Sequence, residues 1–178
     1  MTPGEYIQLK AFARVDGAIM ALLWGIAFAC YIAGLLNPIL LFIAIILVFV
    51  TPFVAAKRLQ MFRDHALGGI ISFRRGWAYV AMMFFYGSLL FALVQYGYFA
   101  YLDKGFLLHT MQSMMENADA RQMMADYGMS TVMNESLAQM RAMRPIDMAL
   151  NMLTTNLILG CILGFPIAVV IKKSQNNN

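Results

Sequence analysis

Between Lys57 and Gly76 the chain reads KRLQMFRDHALGGIISFRRG, a short basic stretch set between two long apolar runs. It carries five cations, Lys57, Arg58, Arg63, Arg74 and Arg75, against a single acid, Asp64. No other feature limits the fold so tightly. Loops that stay on the cytoplasmic side of a membrane keep Lys and Arg, whereas translocated loops shed them. With this loop inside, the apolar runs on either side must lead outward, and the path of the whole chain follows.

Those runs dominate the sequence. Of 178 residues, 61% are hydrophobic and only 12% are charged, and the mean hydropathy is +0.67. A soluble domain is not built this way. Crossing a ~30 Å hydrocarbon core takes about 20 apolar residues, and four stretches meet that need, at about 15–36, 39–56, 77–102 and 146–171. The expected fold is an all-α integral membrane protein, one membrane domain over 1–178 with four transmembrane helices. An extracytoplasmic helical hairpin, 103–145, is expected between spans three and four, and a cytoplasmic basic loop at 57–76. On this map nine cations lie inside and four outside, the asymmetry that the loop alone predicts. The location implied is a bacterial inner membrane, crossed several times, with both termini cytoplasmic. A net charge of +4 does not point to nucleic acid, because the cations cluster at the ends of apolar segments. Orientation and anionic lipid headgroups account for them.

Local signals fill in the path. Met1–Arg14 reads as an interfacial helical turn, and Asn37-Pro38 as a tight outer turn. Leu59, Phe62 and Ala66 share one face of a short helix that Gly68-Gly69 breaks. Trp77 and Tyr79 mark the inner end of the third span, and Tyr96, Tyr98 and Tyr101 its outer end. In the outer segment, Leu107, Met111, Met114, Met115 and Ala118 keep helical spacing, as do Met129, Val132, Met133, Leu137 and Met140. Ser174–Asn178 reads as an unstructured tail. Ala27–Cys30 faintly resembles a lipoprotein cleavage site, but Phe28 is bulky and the apolar run continues past it.

Several residues are candidates for more than spanning. Ala13, Gly17, Ala21, Gly25, Ala29 and Ala33 stand four apart, and Gly160 and Gly164 form a strict GxxxG. Such rows let helices approach closely where lipid removes the hydrophobic drive; the partner is another helix of this chain or a second copy of it. Arg14 and Asp16 form a candidate ion pair at the inner edge, either fixing topology or holding a proton. Lys57, Arg58, Arg63, Arg74, Arg75, Lys172 and Lys173 suit lipid headgroups. Asn151, Thr154, Thr155 and Asn156, with Gln95, either line a polar cavity or bond between helices. Pro52 and Pro166 are placed to kink the second and fourth spans near their inner ends. Met111, Met114, Met115 and His109 form a candidate Cu(I) site, since thioethers are soft ligands; Met at helical spacing is equally an adaptable apolar face.

KRLQMFRD, then GGIISFRRG, then a long span ending in aromatic residues and Asp103, resembles a Bacteroidota family of small four-span inner-membrane proteins grouped as domain of unknown function DUF4199. The motifs that carry the likeness are Arg63-Asp64 and Gly69 to Phe73. The resemblance implies a four-helix membrane protein and brings with it no activity and no catalytic residue. The residues themselves show no P-loop, GxSxG, CxxC or HExxH. The function expected is therefore non-enzymatic, without a cofactor. The chain would serve as an assembly or interaction partner that meets the bilayer and a second copy or another membrane protein through its Met-rich hairpin. The alternative is a small transporter or Cu(I)-handling protein.

Overall fold

A computed structural model describes residues 2–173; the tail from Ser174 onward lies outside them. The chain is an all-α multi-pass membrane protein. Four of its helical stretches are long and apolar enough to cross a bilayer: Pro3–Gly34, Pro38–Ala66, Phe73–Leu102 and Pro145–Ile171. The second shows most plainly why lipid is needed. Its mean hydropathy reaches 3.0 over an 18-residue window, yet only 17% of that window is buried within the protein. Leaving so much apolar surface in water is not sustainable.

Helix α1 runs Pro3–Gly34 without a break, so the lead read as a separate turn is the first part of the first helix. The start is well specified. Thr2 accepts from the Glu5 amide while Glu5 reaches back to the Thr2 amide, a capping box with Pro3 in the first turn. Helix α2 spans Pro38–Met61, capped by the Asn37 side chain on the Ile39 amide. Between the two, a Cβ on Gly34 would lie 2.5 Å from the Leu41 backbone nitrogen, so only glycine fits this turn.

The basic loop is shorter than its charges suggest. Helix α2 continues through Lys57 and Arg58, and a π-helical turn carries it over Phe62–Ala66. Lys and Arg are good helix formers and favour a helix C-terminus, so charge alone does not stop a helix. Gly68 and Gly69 do, at φ of 64° and 89°. Helix α3 then runs Phe73–Gly97 and ends in a second π-turn, Tyr98–Leu102.

Residues 103–145 depart from the expected hairpin. They form three helices: α4, Phe106–Glu116; α5, Ala118–Asp126; and α6, Ser130–Ala142. Helices α4 and α6 follow the two Met-rich rows. The extra break is at Asn117, extended at ψ 134°, whose side chain caps the Asp119 amide. Gly128, at φ 66°, ends α5. Helix α7, Pro145–Ile171, completes the chain.

The chain divides into two compact units, 1–94 with 151–178, and 95–150. In the first, the core joins Leu9, Met20 and Trp24 of α1, Leu59 of α2 and Phe62 of the π-turn that follows it, Tyr79, Met83 and Phe84 of α3, and Ile167 and Ile171 of α7. The second is thinly packed: α4 buries Leu107, and α5 and α6 bury nothing.

Candidate functional site: a buried carboxylate among the basic helix ends

Asp16 sits on α1 with only 8% of its surface exposed. The Tyr79 hydroxyl of α3 donates to its Oδ2, and the Arg58 guanidinium of α2 lies 3.5 Å from its Oδ1. Three helices thus meet on one carboxylate. The expected partner, Arg14, is not there. Residues two apart on a helix point to different sides, and the Arg14 guanidinium lies over the Tyr86 ring instead, 5.8 Å from its centre. An acid nearly out of water needs both charge compensation and hydrogen bonds, and α2 and α3 supply one of each.

Aromatic packing holds the donor in place. The Tyr79 ring stacks on Phe62 at 4.5 Å and an interplanar angle of 9°. The Arg75 guanidinium covers Phe62 at 5.9 Å from the ring centre. Arg75 also donates to Glu5 at 3.1 Å and to Gln8 at 3.2 Å, and Gln8 donates in turn to the Ala66 carbonyl. Arg63 makes a two-pronged pair with Asp64 and bonds the Ile171 carbonyl at the end of α7. Beside it, Ile71 and Lys173 exchange two backbone hydrogen bonds of 3.1 Å, tying the loop to the C-terminal end of that helix.

The seven cations assigned to headgroups therefore divide. Arg58, Arg63 and Arg75 turn inward and join helices; Lys57, Arg74, Lys172 and Lys173 remain exposed. Sequence reasoning placed Tyr79 in an interfacial belt and so missed its role. The available signal was its spacing: on α3, Tyr79, Met83, Phe84, Ser88, Phe91 and Ala92 form a single buried stripe.

The small-residue rows divide in the same way. A Cβ on Gly17 would lie 2.7 Å from the Tyr86 Cβ, and one on Gly160 would lie 2.3 Å from the Phe84 Cβ. Ala13 and Ala21 are buried beside Gly17, and a Cβ on Gly164 would meet Trp77 and Val80 at 3.2 and 3.3 Å. Higher on α1 the row opens: a Cβ on Gly25 meets nothing within 4 Å, and Ala29 and Ala33 are exposed. Gly87, which the sequence did not single out, faces the Gly17 carbonyl. Both tryptophans bond to the helices that carry the internal prolines. The Trp24 indole donates to Thr51, next to Pro52, at 3.2 Å, and Thr51 bonds back to the Leu47 carbonyl. The Trp77 indole donates to the Cys161 carbonyl at 3.0 Å, one turn before Pro166.

Of the polar residues of the fourth span, Asn151, Thr154 and Thr155 are exposed; Gln95 is buried with neither amide atom bonded. In the 95–150 unit, helices α4–α6 border a cavity of about 530 Å³. Of the proposed thioether set only Met115 lines it; Met111, Met114 and His109 lie elsewhere on α4. Among the described residues no three His, Cys, Asp or Glu side chains are grouped to hold a metal ion.

Residues 16–173 match one protein family, whose description is a protein of unknown function. No curated protein and no solved structure matches the chain.

Proposed function

The chain belongs to that family, DUF4199, and we propose that within it this protein is a non-enzymatic interaction partner in a bacterial inner membrane. Both termini and the Asp16 cluster face the cytoplasm, and helices α4–α6 face outward as a docking surface for another membrane protein or a second copy. The nine-to-four division of cations supports that orientation. The observation carrying the docking role is the state of α5 and α6. They bury no residue, while Met123, Tyr127, Met129 and Val132 are 60%, 75%, 49% and 63% exposed. Flexible thioethers and an exposed tyrosine suit an adaptable contact face.

Crosslinking in membranes followed by purification of the full chain tests this. A discrete partner or a dimer should be recovered, and Met123→Asp with Val132→Asp should reduce the recovered complex at least about tenfold, as losing two central apolar contacts would. An unchanged monomer in both proteins would remove the reading. Gly25→Leu separates the two routes. It should weaken a dimer built on the open part of α1, and leave untouched one built on α5 and α6.

The second reading, Cu(I) handling, draws support from Met111, Met114, Met115 and His109 sharing α4. Titrating the full chain with Cu(I) decides it; no binding tighter than about micromolar excludes it.

A further inference from the structure

The cavity among α4, α5 and α6 has a composition that the docking role does not use. Its volume of about 530 Å³ lies in the range of small-molecule sites, and its lining is mostly polar, with Gln112, Glu116, Arg121, Ser130, Asn134 and Arg141 beside three apolar residues. The apolar wall comes from three different helices: Met115 on α4, Met124 on α5 and Leu137 on α6. Two guanidiniums reach the same space from separate helices, Arg121 on α5 and Arg141 on α6.

Charge selects the ligand. One carboxylate, Glu116, lines the cavity against the two arginines, and neither arginine forms an ion pair with a carboxylate among the described residues. Turned so that its amide oxygen faces α6, Gln112 can accept from Arg141, which would orient that guanidinium without neutralising it. A cationic ligand would therefore meet net repulsion, and a neutral one would leave both guanidiniums unused. A planar guanidinium pairs best with a carboxylate or phosphate.

We infer that this cavity binds a small amphiphile with one anionic head, its carboxylate or phosphate held by Arg121 and Arg141 and its alkyl body laid against Met115, Met124 and Leu137. The inference does not depend on the docking role. It uses the residues that line the space among α4–α6, of which Arg121 and Arg141 are solvent-exposed, whereas Met123 and Val132 are no part of the cavity wall.

The test is calorimetric titration of the full chain in neutral phosphatidylcholine nanodiscs, with empty nanodiscs as the blank. The probes are octanoate, octyl phosphate and octylammonium. Saturable binding of one anion per chain is expected, with octylammonium giving no more than the blank. Tighter binding of octyl phosphate assigns a phospholipid-derived ligand, and tighter binding of octanoate assigns a fatty acid. Arg121→Gln combined with Arg141→Gln should weaken binding at least about tenfold, the loss of roughly one charge-assisted pair. The corresponding double Lys variant should restore most of it, and Arg144→Gln, outside the cavity, should change nothing. Absence of saturable anion binding, equal binding of octylammonium, or an unchanged Kd in the double Gln variant would each overturn the inference.

Discussion

Asp16→Ala is expected to destabilise the protein by about 3–5 kcal/mol, the cost of breaking a largely buried charge pair from one side. The carboxylate is the acceptor for Tyr79 and the counter-charge for Arg58. Removing it orphans both at once. Arg58 keeps 28% of its side-chain surface exposed, so water recovers part of its charge and the lower end of the range applies. At roughly 2–4 °C per kcal/mol for a chain of this size, the melting temperature in a mild detergent should fall by about 6–12 °C. Tyr79→Phe removes one hydrogen bond to a charged group while keeping the stack on Phe62, and should cost about 1.5–3 kcal/mol. Arg58→Ala and the Asp16→Ala double variant close a cycle, and a coupling of about 1 kcal/mol or more is expected for residues in one network. Additive single costs would mean that the three helices do not meet on this carboxylate.

The second large effect is steric. Gly160→Val places a Cβ where the Phe84 side chain already stands, 2.3 Å away. Both residues lie in helices of the same core, so α7 must move off α3 or Phe84 must leave its rotamer. The cost should reach or exceed the upper end of overpacking, about 3 kcal/mol. Gly164→Ala, with its nearest atom at 3.2 Å, should be felt only slightly. Gly25→Leu meets nothing within the chain and should leave the melting temperature unchanged. The three variants are ordered by the room around each Cβ. If Gly160→Val proved as harmless as Gly25→Leu, the packing of α7 against α3 would be wrong.

Much of this architecture is legible in the residues alone, because bilayer thickness converts apolar run length into spans without reference to neighbours. The start of α2 at Asn37-Pro38 and the stop at Gly68-Gly69 are local chemistry and read directly. What escaped was set by partners far away in sequence. Asp16 and Arg14 are two apart in the chain, yet a helix sends them to different sides, and the true partners come from α2 and α3. Tyr79 shows an interfacial composition and a buried role. Within one row of small residues, Gly17 is filled by α3 while Gly25 is open, and nothing in the four-residue spacing distinguishes them. The third helix of the 95–150 unit depends on Asn117, which fits a helix interior as readily as a cap until its backbone is seen.

The side of the bilayer that the basic ends of these helices occupy sets the orientation of every surface described above. A direct measurement replaces Cys30 and Cys161 with serine, the two cysteines of the chain, and introduces a single cysteine at Ser72 or at Gln139. A membrane-impermeant maleimide is then applied to spheroplasts. The cysteine at position 139 should be labelled at once and the one at 72 only after the membrane is opened. Immediate labelling at 72 with protection at 139 would contradict that orientation.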